Sequence, residues 1–455
     1  MNPEFERNLW LEAAPRRLGG LAVILVLIYG ATAALAKGDM SVLTQAIGVV
    51  GAAVFVACGL IWGSWAAGGS VLDEIRGRTW DFQRLSALTP WAMTWGKLFG
   101  AGSLAWIGAA TGLAATAVAA DITKGPEVAF DLVFGLIGLA VFLQACAMGA
   151  ALIGVRKARA EGRIATGGAV VLGVIGGLIL LSAFSRGLPL GSLNLSGGTA
   201  LGLTDERPVF WFGQVFRSAA FTAASLCVFA AWALAGAWRL MRLELQMHNS
   251  PWFWVAFLLF AAIWRAGLAP ALGGVSDEVM TAGLVFIAAA YICAFVEPAD
   301  TVKLRRFWAA VRSGALLRAA DLAPAAVFAV KLAALSAIVF AVLPHPSYLS
   351  SAALPTPQGA AAVLAFMVRD LGVITLFRFG PRPGRGDLSA VIALALLYWV
   401  GGLVGRLSGG DIGQALFSPF VQSAAVISII SGTVQAALAW FLAAQRLRGP
   451  KAVGA

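Results

Sequence analysis

An all-α integral membrane protein of about twelve transmembrane helices, built as two parallel six-helix repeats, is the architecture this sequence predicts. Three observations lead there. Hydrophobic residues make up 60% of the chain and charged ones 12%, about half the charge share of a soluble domain, so a bilayer has to be the main solvent. Apolar runs long enough for a helical crossing, about 20 residues each, alternate with clusters of charge along the whole length. The Lys and Arg residues behind the net charge of +11 are spread unevenly over the loops, as in a positive-inside membrane protein, which removes the need for a nucleic-acid partner.

Residues 2–14 mix charge with Phe5, Leu9 and Trp10 and predict a short helix on the membrane surface; a frayed basic leader is the alternative. Spans follow at 18–36, 43–67, 97–120, 129–153, 165–184 and 218–238. A second set lies at 251–269, 279–296, 325–343, 358–377, 388–405 and 419–443. The first run ends in Ala34-Leu35-Ala36, like a secretory leader, yet it is longer than the roughly 7 to 15 residues of a leader core, so it reads as a span.

With the N-terminus in the cytoplasm, 25 of the 33 basic residues fall on that side and seven on the other, with Arg369 inside a span. Both termini are therefore expected in the cytoplasm, the spans crossing an inner or plasma membrane. Each set of six has its main basic segment between its second and third spans. Within it, Pro90-x6-Lys97-Leu98 recurs as Pro324-x6-Lys331-Leu332. Motif and topology together point to a duplication, residues 1–242 and 243–455, with both halves in one orientation.

Residues 72–98 carry the functional signal. Asp73 and Glu74 precede Arg76, Arg78 and Arg84, an order that suits a helix dipole and i,i+4 pairing. Pro90 suits the first turn of the next helix. These features predict a helix over 73–90 on the cytoplasmic face, and a solvated amphipathic connector would account for the charges equally well. The order of Glu74, Gly77, Arg78, Thr79, Asp81, Leu85, Pro90, Gly96, Lys97 and Leu98 resembles the segment through which permeases of the type-2 ATP-binding-cassette exporters touch their ATPase. The resemblance covers residues 2 to about 242, including an Asn-Pro elbow helix before the first span.

The resemblance implies a permease coupled to separate ATP-binding-cassette ATPase subunits through Asp73, Glu74, Arg76, Gly77, Arg78, Thr79, Asp81, Pro90 and Lys97. ATP and Mg²⁺ would then be bound by the partner and no cofactor by this chain. The second half keeps Glu297, Arg305, Arg306, Pro324 and Lys331 but lacks the Gly-Arg-Thr run, which implies either weakened coupling or a different partner. The competing class is a membrane scaffold that recruits a cytoplasmic partner through the same basic loops.

Other features are secondary. Arg369 and Asp370 stand inside the tenth span, as an ion pair, a snorkelling pair or a transport site. The outward loop 185–217 ends in an aromatic cluster, read either as a re-entrant cap over a translocation path or as an anchored loop. Gln144, Gln422 and Gln435 suit hydrogen bonds between spans, and Gly96-x3-Gly100, Gly108-x3-Gly112, Gly173-x3-Gly177 and Gly401-x3-Gly405 suit close helix approach. Four isolated Cys residues and two distant His residues offer no metal spacing. No phosphate-binding G-x-x-x-x-G-K-[ST] loop and no nucleophile elbow occur in the sequence.

Overall fold

A computed structural model describes residues 2–86, 88–160, 170, 173–177, 208–269, 274–344, 356–380 and 385–448. Most of the fifth expected span, 165–184, and most of the long outward loop lie outside these residues. The chain divides near Asn249 into two compact units. Ten of the described helices are long and apolar enough to cross a membrane, so a multi-pass helical membrane protein is observed. An eleventh expected span, α9 (Trp252–Gly267), has 16 residues, short of the roughly 20 that a perpendicular crossing takes.

In the first unit, α1 (Pro3–Glu12) begins at the Asn2 cap, whose side chain accepts from the Glu4 amide. Helix α2 (Pro15–Leu35) and helix α3 (Met40–Arg76) follow. The Asp39 carboxylate caps α3 by accepting from the Ser41 hydroxyl and the Ser41 and Val42 amides, and these bonds hold it below the usual carboxylate range. Next come α4 (Trp80–Arg84), α5 (Pro90–Trp95, continued as a π turn over Gly96–Gly100), α6 (Ser103–Lys124) and α7 (Pro126–Ala160). A β-hairpin of β1 (Val209–Trp211) and β2 (Gln214–Phe216) turns at Phe212 and Gly213, both at positive φ, and leads into α8 (Ser218–Glu244).

Glycine sets a close helix crossing in this unit. A Cβ on Gly51 would lie 2.8 Å from the Gly112 carbonyl, and one on Gly112 2.6 Å from the Gly51 carbonyl, so α3 and α6 meet backbone to backbone. A π turn over Val56–Trp62 interrupts α3 beside this crossing, and Gln144 of α7 fills the irregularity. Its Nε2 donates to the Gly59 carbonyl at 2.8 Å, and its Oε1 accepts from Trp106 Nε1 at 3.1 Å. One fully buried amide thus ties three helices together where the regular ladder is broken.

Helices α7 and α8 run parallel, pinned at both ends by ion pairs. Arg217, just before α8, pairs with Glu127 and with Asp131 at 2.7 Å; at the other end Glu244 pairs with Arg159 at 3.2 Å and Arg156 at 3.7 Å. Asp131 to Arg159 and Arg217 to Glu244 are nearly equal in length, about 40 Å at 1.5 Å per residue. Between the pins, Leu152, Val155, Ala237 and Met241 join a core shared with Val71, Leu72, Trp80, Met93 and Leu98.

The second unit holds α9, α10 (Gly274–Val296), α11 (Thr301–Arg312), α12 (Leu316–Leu322), α13 (Ala325–Val342), α14 (Pro357–Arg378), α15 (Gly386–Ala415) and α16 (Ala425–Arg448). Its core gathers Leu258, Phe286, Ala290, Ala333, Met367 and Ile374. Helix α15 contains a π turn over Leu396–Gly401 and breaks at Gly410, whose φ is 61°. Gly405 and Gly413 touch so closely across that break that a Cβ on either would overlap the other's carbonyl.

Candidate functional site

The expected single helix over 73–90 is not formed. Helix α3 ends at Arg76, and Gly77 closes it with a bond from its amide to the Asp73 carbonyl. Arg78 then adopts a left-handed φ of 57° and turns the chain, while the Thr79 amide and hydroxyl both donate to the Glu74 carbonyl, at 2.9 and 3.2 Å. Five residues of helix follow in α4. Pro90 starts a new helix capped by the Thr89 hydroxyl, which accepts from the Ala92 amide at 3.2 Å. Such a break fits the chemistry: proline lacks an N–H and restricts the residue before it to extended conformations.

The turn brings Glu74, Trp80 and Gln83 against Lys97, and α1 closes the cluster from the other side. Glu4 and Lys97 are 3% and 0% exposed, and the Glu74 side chain 12%. Lys97 Nζ donates to Glu4 Oε1 at 3.0 Å and, more closely still, to Glu74 Oε2. Glu74 Oε1 also accepts from Arg7 and from Gln83 Nε2, and Glu4 Oε1 from Asn8 Nδ2 at 3.2 Å. The Trp80 ring lies 5.5 Å from the ammonium, within cation–π range. Two carboxylates and two cations balance in charge, which is what makes their burial tolerable.

Glycine makes the approach possible. A Cβ on Gly96 would sit 2.6 Å from Glu4 Cγ and 2.9 Å from the Phe5 amide nitrogen, and one on Gly100 2.9 Å from Asn8 Cβ. The small-residue ridge Gly96-x3-Gly100 therefore cradles α1, with Asn8 donating to the Gly96 carbonyl at 3.3 Å and Asn2 to the Ala92 carbonyl at 2.8 Å. Helix α1 buries a polar stripe, Glu4 and Asn8, and leaves Trp10 and Leu11 exposed.

The expected site residues thus fall into two groups. Glu74 and Lys97 face inward, with the Lys97 side chain fully buried and that of Glu74 12% exposed, unlike the solvated charges of the connector alternative. Asp73, Arg76, Gly77, Arg78, Thr79 and Asp81 remain on the surface, with Arg76–Asp73 and Arg84–Asp81 as loose neighbouring pairs at 3.5 and 3.6 Å. Beside them project Phe82 and Leu85, 78% and 86% exposed. Leu85 belongs to the motif that carries the resemblance, whereas Phe82 has no role in the sequence reading; Glu4 and Arg7 enter it only as charges of the surface helix, and Asn8 is not singled out. The available signal was Glu4 and Asn8 at i,i+4 beside a lysine that needed counter-charge, with Gly96 and Gly100 at the matching spacing.

The second-unit counterparts assemble differently. Glu297 Oε2 accepts from the Ala325 amide at 2.9 Å and so caps α13, which begins after Pro324. Its other oxygen pairs with Lys303 at 3.5 Å. Lys331, aligned by spacing with Lys97, is exposed, as are Arg305 and Arg306.

Arg369 and Asp370 are both 1% exposed, so neither snorkels. Arg369 Nε donates to Asp370 Oδ1 at 2.8 Å and Nη1 to Gln435 at 3.1 Å, and its guanidinium lies 4.4 Å from the Phe366 ring and 4.6 Å from that of Tyr398. Asp370 Oδ2 accepts from the Tyr291 and Tyr398 hydroxyls at 2.6 and 2.8 Å. This cluster ties α10, α14, α15 and α16. Among the described residues no group of His, Cys, Asp and Glu could hold a metal ion. Comparison with family models, curated proteins and solved structures returned no match.

Proposed function

We propose that this chain is the membrane-spanning permease of an ATP-driven exporter, coupled through residues 76–85 to a separate ATP-binding-cassette ATPase that binds ATP and Mg²⁺. The observation that carries the reading is a surface knob fixed to a rigid base. Phe82 and Leu85 project among Arg78, Asp81 and Arg84, while Trp80 and Gln83 on the same turn are buried against the Lys97 cluster. Exposed apolar side chains rimmed by charge suit a partner surface.

The knob has a rigid path into the bilayer. Glu74 belongs to α3, Lys97 to the turn after α5 and Glu4 to α1. A displacement of the knob is thereby shared by three elements instead of being absorbed by a loose connector. Closure of ATPase subunits would push on it and shift the spans between two arrangements. This reading sets the knob and both termini in the cytoplasm, with the chain in an inner or plasma membrane.

A membrane scaffold would use the same knob without transport, and one experiment separates the two. Phe82→Asp with Leu85→Asp is expected to abolish co-purification with the ATPase while membrane expression is unchanged, because neither side chain supports the fold. In wild type, association should raise ATPase turnover. Association without stimulation would favour the scaffold, and unaltered association in the variant would remove the knob from the interface.

A further inference from the structure

The corresponding segment of the second unit has a different surface chemistry. Residues 301–322 set Lys303, Arg305, Arg306, Arg312 and Arg318 against one acid, Asp321 near the end of the second arm, with Asp300 capping the first, whereas residues 73–84 of the first unit set Asp73, Glu74 and Asp81 against Arg76, Arg78 and Arg84. The segment folds as a helical hairpin, α11 and α12, turning at Gly314, whose φ is 71°. Ala310 and Ala319 are buried, one on each arm.

Two of the five cations hold the hairpin to its own unit. Lys303 pairs with Glu297, and the Arg305 guanidinium donates to the Leu447 carbonyl at 2.9 and 3.3 Å. Arg306, Arg312 and Arg318 are exposed. So are Trp308 and Val311, one turn apart on α11, and Leu316 and Leu317 at the start of α12. An exposed apolar row flanked by arginines, on helices tethered between two membrane spans, has the composition of an interfacial segment.

We propose that the α11–α12 hairpin is a binding surface for anionic phospholipid headgroups of the bilayer that its own unit spans. Trp308, Leu316 and Leu317 enter the headgroup–acyl boundary, and Arg306, Arg312 and Arg318 meet lipid phosphates with their planar donor sets. Continuity with the lipid-facing spans and the excess of positive over negative charge favour lipid over a protein partner, whose surface the evenly mixed charge of the first-unit segment suits better. The inference does not depend on the exporter reading.

Hydrogen exchange of the full chain in nanodiscs tests it. One preparation is pure phosphatidylcholine and another about three parts in ten phosphatidylglycerol, a composition chosen for surface charge. Exchange over 301–320 should be slower in the anionic discs, and the protection should fade at about 0.5 M salt as the Debye length shrinks. Combined Arg306→Gln, Arg312→Gln and Arg318→Gln should remove it, each arginine contributing about fivefold and the three together about 10²-fold. Unchanged exchange in α14 shows that the variant is folded. Equal protection in both lipids, insensitivity to salt, or protection only on adding an ATPase would overturn the proposal.

Discussion

Replacing Lys97 by alanine removes the buried one of the two cations that touch both Glu4 and Glu74, the other being the half-exposed Arg7. Arg7 remains beside Glu74 but is about half exposed, and Glu4 keeps only Asn8 and the 3.3 Å pairing with Arg7. Breaking a buried ion pair by deleting one partner costs about 3 to 5 kcal/mol, because an uncompensated charge stays behind. The element with least else to hold it is α1, ten residues long and too short for independent helicity. The cost therefore falls on the docking of α1.

In Lys97→Ala, amide exchange over residues 3–12 is expected to accelerate about 10²- to 5 × 10³-fold, the factor equivalent to 3 to 5 kcal/mol. Helices α6 and α7 should keep their protection. Lys331→Ala serves as control: its side chain is exposed, and substitutions at such sites stay within about 0.5 kcal/mol. If α1 exchanges at the wild-type rate in Lys97→Ala, the cluster does not hold the helix and the rigid-base argument collapses with it.

Gly96→Ala tests the same junction sterically. Its Cβ would overlap Glu4 and the Phe5 backbone, so α1 should loosen by about 1 to 3 kcal/mol, the usual cost of overpacking; unchanged exchange over 3–12 would contradict the observed approach. In the second unit, Arg369→Ala should lower the melting temperature by about 6 to 20 °C, taking about 3 to 5 kcal/mol at about 2 to 4 °C per kcal/mol. Arg369→Met with Asp370→Leu should recover most of that loss, and a silent single variant would mean that the pair is not buried in charged form.

Much of the membrane architecture is legible because hydropathy is a local, additive property of the chain. Runs such as 129–153 and 358–377 need no partner to be recognised as spans. Pairings between distant residues are another matter. The stop at Gly77 and the left-handed Arg78 break a helix that charge periodicity alone would continue, and only the fold reveals that this break swings Trp80 and Gln83 onto Lys97. Likewise Arg369 and Asp370 stand out in sequence as costly intramembrane charges. Their tyrosine and glutamine partners come from three other helices, each unexceptional when read alone.

The two Pro-x6-Lys motifs show how far spacing carries and where it stops. Proline 90 and Pro324 both open a helix, as backbone chemistry requires of a residue with no N–H to offer. Seven residues on, the fate of the lysine depends on what faces it. Lys97 meets two carboxylates, one delivered by α1 across a glycine ridge, and can be buried because its charge is neutralised there. Lys331 has no such helix over it among the described residues, and the acid in the equivalent position, Glu297, is already used to cap α13 and hold Lys303. With its carboxylate taken, the second segment keeps its cations on the surface. The same spacing has thus given a neutral, internally locked joint in one unit and a positively charged face in the other, so a shared motif does not by itself assign both segments the same partner.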